Sequence, residues 1–126
     1  MTRMQRTAMG VEPSGAAKMT ASRGEGRPVT LEKTSSIADG LLAVRPGDLT
    51  FAHVQALVDD IVTVDDRAIA SAIGWLFREA KIVAEPSGAT SVAGALRGGS
   101  LERGTVAVVS GGNVSSTDYV GYLREG

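Results

Sequence analysis

The sequence has 126 residues, no cysteine and a net charge of −1 from 13 basic and 14 acidic side chains, which fits one domain or part of one. The charge balance and the scarcity of aromatics argue against nucleic acid or an anionic membrane as main partner, and the lack of cysteine excludes a disulfide framework and cysteine metal sites. No apolar run reaches the roughly 18 residues that span a bilayer, and the arginine-bearing start lacks the apolar core of a signal peptide, so a cytoplasmic location is expected.

Residues 1–8 are expected to be a poorly ordered lead. Met9-Gly10-Val11 reads as the tail of a short strand entering Glu12-Pro13. A helix-forming stretch over 15–22 and a loop over 23–28 follow, with Val29-Thr30-Leu31 as a possible short strand. Residues 35–40 suit a short turn, and Arg45-Pro46-Gly47-Asp48 is a strong turn signal. Thr50 suits the N-cap of a helix over 50–58, with Phe51, Val54, Leu57 and Val58 at helical spacing. Ile61-Val62-Thr63-Val64 is a β-branched strand. Asp65 or Asp66 caps the best helix, running to about 81, with a stripe of Ile69, Ala72, Ile73, Leu76, Phe77 and Ala80. Ile82-Val83-Ala84 leads to an alanine-rich helix over 90–96, a loop over 97–104, a strand over 105–109 and a terminal helix over 115–123. Strands alternating with helices predict parallel βαβ units.

The run at 105–109 stops abruptly at Ser110-Gly111-Gly112-Asn113. Four apolar residues in a row read as a buried strand of a parallel sheet, and ligands of open α/β sheets sit beyond the carboxyl ends of the strands. A Ser110 hydroxyl there can bond a heteroaromatic nitrogen or a phosphate, or only satisfy turn amides. The pentapeptide Glu-Pro-Ser-Gly-Ala occurs twice, at 12–16 and 85–89. Glu12 and Glu85 can each hold a cation, a ligand amine or ring atoms, or simply rest near a helix N-terminus. On pattern alone Asp39 is the first residue of an Asp-Gly turn. The lone His53 has no histidine or cysteine partner for zinc. Trp75 and Phe77 read as core or interface, and the pairs Asp59-Asp60 and Asp65-Asp66 as caps or solvated ends of a strand.

In order and spacing, Thr34-Ser35-Ser36-Ile37-Ala38-Asp39-Gly40-Leu41, Arg45-Pro46-Gly47, Leu57-Val58-Asp59-Asp60-Ile61-Val62-Thr63-Val64, Glu85-Pro86-Ser87-Gly88-Ala89 and Val108-Val109-Ser110-Gly111-Gly112-Asn113 resemble one family. It is that of the threonine and serine dehydratases and serine racemase, pyridoxal-phosphate enzymes of the tryptophan-synthase-β fold type. The resemblance covers about residues 9–114. It implies an α/β fold with a three-layer, open, mostly parallel sheet, of which residues 9–126 form an incomplete piece, the C-terminal third or so of a catalytic domain. It also implies that Ser110 hydrogen-bonds the pyridine nitrogen of the cofactor, leaving the ring a milder electron sink. Glu85, Gly111 and Gly112 would flank the ring, and Asp39 would meet the substrate's side-chain hydroxyl. Glu12 and the Ala16 carbonyl match a divalent-cation site of some relatives. Lys18 stands where that site has its acidic ligand, so an ammonium satisfying Glu12 is expected in place of an ion.

Two parts of the family pattern have no counterpart. Lys18, Lys33 and Lys81 are the only lysines, and none has the Ser-Phe-Lys-like setting of the Schiff-base lysine. The glycine-rich phosphate cup is missing, since neither Gly98-Gly99 nor Gly111-Gly112 matches it. The expectation is a fragment of a pyridoxal-phosphate-dependent ammonia-lyase, converting threonine or serine to a 2-oxo acid and inactive alone. The alternatives are a non-catalytic remnant or interaction module, and part of an amino-acid racemase. Expected partners are a small hydroxy amino acid and, through an uncovered sheet edge and apolar face, a second copy or a complementary chain.

Overall fold

The computed structural model describes residues 6–98 and 103–126. Residues 1–5 of the expected irregular lead, and 99–102 of the loop expected over 97–104, lie outside them. The α/β class holds. Strand β1 (Met9–Pro13) pairs in parallel with β2 (Asp60–Val64), with Met9 opposite Asp60 and Pro13 opposite Val64. The ladder is pinned at its start, where the Asp59 amide donates to the Ala8 carbonyl (2.9 Å) and the Ala8 amide to the Asp59 carboxylate (2.7 Å).

Between the strands lie α1 (Lys18–Glu25) and α2 (Asp48–Leu57). Helix α1 stops at Gly26, whose φ of 70° is the left-handed conformation that glycine adopts without strain. Gly24 sits inside α1 with open space where a Cβ would be. Gly24→Ala is therefore expected to raise stability by about 0.5–1 kcal/mol, read as a higher urea midpoint at unchanged slope. Helix α2 begins two residues before Thr50, with Gly47 as N-cap, while Arg45 bridges to the Asp48 carboxylate at 2.6 Å. Of its expected stripe only Phe51 is buried, and Leu57 is 69% exposed. Val29-Thr30-Leu31 forms no strand; it is tied to its surroundings by the Val29 amide donating to the Ser22 hydroxyl (2.9 Å) and the Leu31 amide donating to the Val44 carbonyl (2.8 Å).

The core gathers around α3 (Asp66–Trp75) and α4 (Pro86–Ala95). Asp65 caps α3 by accepting the Ala68 amide at 2.8 Å, and Ile69, Ala72, Ile73 and Leu76 are buried as the stripe predicts. The helix does not run regularly to 81. Residues Leu76–Ala80 form a π-turn, closed by Lys81 at a φ of 58°. The wider turn rotates Phe77 and Ala80 off the stripe and into exposed positions. Helix α4 begins at Pro86, four residues before the expected start, and buries Gly88, Ala89, Val92 and Ala93. These small side chains bring its axis close to α3 and to the sheet. A Cβ on Gly94 would fall 2.5 Å from the Val11 side chain.

Helix α5 (Ser116–Glu125) is capped by Ser115, whose hydroxyl accepts the Asp118 amide at 3.1 Å, and it lays Tyr119, Tyr122 and Leu123 on the core. Tyr119 meets Phe77 edge-on at 6.1 Å, and its buried hydroxyl has no hydrogen-bond partner among the described residues. That burial raises the Tyr119 pKa above 10.0. A folded-state pKa above the unfolded one gives stability that is present below pH 10 and is lost as pH climbs through the raised value. Tyr119→Phe removes both the unsatisfied hydroxyl and this loss. It is expected to match or exceed the parent by up to about 1 kcal/mol at neutral pH. Its alkaline unfolding curve should lie at higher pH.

A second strand expectation fails. Residues 105–109 belong to no ladder. Val106 and Val108 are 86% and 71% exposed, whereas Ala107 and Val109 pack on the core. The alternation is that of a strand, but the described residues supply no neighbour to pair with it.

Candidate functional site

Of the predicted site residues, Glu12 and Ala16 lie at the entry to α1, whereas Asp39, Glu85, Ser110, Gly111 and Gly112 lie around the N-terminal end of α4. Pro86 occupies the first turn, where its missing N–H costs nothing and its fixed φ favours the helix. Gly88, two residues on, is where another segment crosses. A Cβ there would lie 2.5 Å from the Gly111 oxygen and 2.9 Å from its nitrogen, so the main chain at 110–112 rests directly on the helix. The Glu85 amide donates to the Gly111 carbonyl at 3.1 Å. The Glu85 side chain lies alongside Gly111, filling the space a side chain there would need. Gly112 comes as close to the Val83 carbonyl, 2.7 Å from the position of its absent Cβ.

The turn holding Asp39 reaches the same helix end. The Gly40 amide donates both to Ser87 Oγ at 3.0 Å and to Asp39 Oδ1 at 2.8 Å. Asp39, Glu85 and Gly111 thus surround one helix terminus, with Ser110 exposed on the residue before Gly111. Glu85 is the N-cap residue, yet its carboxylate makes no capping bond. It is half-buried beside the positive end of the α4 dipole. The Asp39 charge is felt on α5: the Tyr122 pKa is raised first by burial, then by Asp118, Asp39 and Glu125. Ser87 has no distinguishing local pattern of its own. The signal for it is its place in the repeated pentapeptide, two residues after the glutamate.

The first copy of the pentapeptide behaves differently. Glu12 is only 9% exposed, and its carboxylate accepts the Met19 amide (2.8 Å), the Thr20 amide (2.9 Å) and the Thr20 hydroxyl (2.8 Å). It acts as a remote cap for α1, whose own N-cap residue Ala17 has no side chain able to do so. The Lys18 ammonium does not satisfy Glu12 as expected. It donates to the Leu41 carbonyl at 2.9 Å, because its place on the first turn of α1 aims it at the 39–41 turn. Gly15 repeats the function of Gly88, with its amide plane against a crossing chain: a Cβ would collide with the Ser35 carbonyl, and the Ser35 amide donates to the Gly15 carbonyl at 2.9 Å.

The remaining candidates are structural. His53 is exposed, with Nδ1 2.8 Å from the Leu49 carbonyl. Asp66 accepts the Ser36 hydroxyl at 2.5 Å, and the Lys81 ammonium donates to the Arg78 carbonyl at 2.8 Å. Among the described residues no cluster of three or more His, Asp or Glu could hold a metal ion, and no helix is long and apolar enough to cross a membrane.

The family model described as "Pyridoxal-phosphate dependent enzyme" matches residues 3–112. The biosynthetic L-threonine dehydratase of Mycobacterium tuberculosis is 42% identical over 115 residues, covering 88% of this chain and 27% of that protein. The processed form of threonine deaminase isoform 2 from Solanum lycopersicum superposes with a TM-score of 0.86 at 34% identity, over 94% of this chain and 36% of the other. Maize serine racemase gives 0.78 at 36% identity, over 94% and 39%. The chain therefore spans about a quarter of the length of the curated dehydratase that it matches.

Proposed function

Since this chain belongs to the pyridoxal-phosphate-dependent enzyme family, we propose that it forms the cofactor-ring wall of an ammonia-lyase that deaminates threonine or serine. The observation that carries the reading is the meeting of Asp39-Gly40, Glu85-Ser87 and Gly111 on one helix end. Three stretches far apart in sequence, each matched to the family, converge there.

The residues present fit the ring edge of the cofactor. Gly88, Gly111 and Gly112 let the 110–112 main chain rest against α4, Glu85 and Val83, each Cβ position being taken by those atoms. The resulting wall of packed main chain carries Ser110 at its edge. Ser110 extends from its exposed rim and offers a neutral hydroxyl to the pyridine nitrogen. Glu85 lies at the ring's side, its carboxylate not consumed by capping. Asp39 holds its own turn through Oδ1 and leaves Oδ2 for the substrate's hydroxyl, positioning it for departure as water. When bound, pyridoxal phosphate supplies the electron sink for loss of the α-proton and the β-hydroxyl. A serine partner keeps that sink mild, which elimination of a hydroxyl tolerates.

The anchoring groups do not come from these residues. Of the three lysines, Lys18 and Lys81 are engaged with the Leu41 and Arg78 carbonyls, and the exposed Lys33 lacks the Ser-Phe-Lys-like setting. In this reading the chain alone is inactive, and its wall works only beside the lysine and phosphate site of a complete catalytic domain.

A chimera tests this: residues 9–114 replace the matched region of the Mycobacterium tuberculosis dehydratase. The chimera is expected to retain cofactor absorbance and to release a 2-oxo acid from threonine. Ser110→Ala within it should lower turnover roughly five- to tenfold, the worth of one neutral hydrogen bond. A chimera that folds and binds cofactor, yet is indifferent to both Ser110→Ala and Asp39→Ala, would rule the reading out.

A further inference from the structure

The loop that carries Asp39 hangs between the two pentapeptide copies. At its start the Ser35 amide donates to the Gly15 carbonyl (2.9 Å), and farther on the Gly40 amide donates to Ser87 Oγ (3.0 Å). Residues Asp39–Leu41 form a single 3₁₀ turn. The Leu41 amide closes on the Ala38 carbonyl, and the Leu42 amide on the Asp39 carbonyl. A turn this short leaves its last carbonyls without partners of its own. Two side chains supply them. The Thr34 hydroxyl donates to the Leu42 carbonyl (2.6 Å), and the Lys18 ammonium to the Leu41 carbonyl (2.9 Å). Thr34 belongs to the same loop, whereas Lys18 reaches in from α1, 23 residues away along the chain.

The aim of Lys18 is fixed from behind. The next two residues, Met19 and Thr20, give their amides to the buried Glu12 carboxylate, so the first turn of α1 is locked to β1. Lys18 itself is half-buried and, among the described residues, joins no ion pair. Its charge-assisted bond goes to one turn carbonyl instead.

We propose that Lys18 is a positioning residue for Asp39, holding the 39–41 turn so that the Asp39 carboxylate faces the substrate's hydroxyl. The inference rests on the proposed ring wall and names a residue to which that reading gives no task. Ser87 grips the turn from α4 and Lys18 grips it from α1. With the Ser87 bond alone the turn can pivot about the Gly40 amide. The bond to the Leu41 carbonyl stops that pivot two residues from the carboxylate. A tilt of the turn passes straight to Oδ2, because Oδ1 is tied to the Gly40 amide within the same turn. A displacement of about 1 Å at such a group can cost on the order of a hundredfold in rate.

Lys18→Met keeps the apolar stem and deletes the donor. In the 126-residue chain, without cofactor, amide exchange at Gly40, Leu41 and Leu42 is expected to quicken about tenfold, while Met19 and Thr20 keep their protection. In the chimera the same change should slow threonine turnover roughly ten- to hundredfold and leave β-chloroalanine turnover essentially unchanged. Chloride leaves as a stable anion and needs no carboxylate beside it, whereas the hydroxyl has to be held for departure as water. Lys18→Arg, which retains a cationic donor at similar reach, should restore most of the threonine rate. Unchanged exchange at 40–42 overturns the proposal, and so does an equal loss on both substrates, the mark of a merely structural lysine. It is also overturned if threonine turnover ignores Lys18→Met while Asp39→Ala lowers it, a result that leaves the ring wall standing. Indifference to Asp39→Ala as well would overturn both, which tells the two failures apart.

Discussion

Glu12→Ala is expected to cost about 2–4 kcal/mol, a large part of the stability of a domain this size. The carboxylate satisfies three donors in a buried position: two amides in the first turn of α1 and the Thr20 hydroxyl. Truncation leaves the amides facing a void, removes a charge from the positive end of the helix and offers no replacement cap, since Ala17 has no polar side chain. Glu12→Gln keeps the shape but turns one acceptor into a donor that faces another donor, so it should recover only part of the loss. Urea unfolding reads the midpoint, and amide exchange at Met19 and Thr20 localises the effect. A loss below about 1 kcal/mol would mean that the first turn of α1 is satisfied by water instead.

Gly88→Ala carries the second large effect. The new methyl would meet main-chain atoms of Gly111 at 2.5 and 2.9 Å, not the flexible end of a side chain. The 110–112 segment must lift from α4, breaking the bond from the Glu85 amide to the Gly111 carbonyl. The expected cost is about 2–3 kcal/mol, with exchange accelerated at Glu85. In the chimera, cofactor retention should fall further than stability does, because the displaced segment holds Ser110. Gly121→Ala, in α5 with nothing near its Cβ, is the control and should be neutral or slightly stabilising.

Much of this was readable in the sequence where the signal is local. Asp65 and Ser115 announce α3 and α5 through caps three residues from their partners. The β-branched run at 61–64 forms β2, and three of the five motifs matched to the family meet at one helix end. What escaped depends on distance along the chain or on atoms outside it. No local rule links Glu12 to amides seven and eight residues away, across an intervening 3₁₀ turn. The π-turn at Leu76–Ala80 leaves the composition unchanged while shifting the register, so Phe77 reads as core and is 45% exposed. Residues 105–109 have every property of a buried strand, but burial needs a neighbour, and the neighbour is not among the described residues. Helix α2 begins before its apparent cap because Asp48 is held by Arg45.

The duplicated pentapeptide separates spelling from availability. In one copy five residues intervene between the acid and the new helix, enough slack for the chain to double back and bring bare amides onto the carboxylate. In the other the helix opens on the very next residue, so its amides lie ahead of the side chain and the acid keeps its lone pairs. Lengthening the second linker should therefore silence Glu85, and shortening the first should liberate Glu12, with no letter of either motif altered.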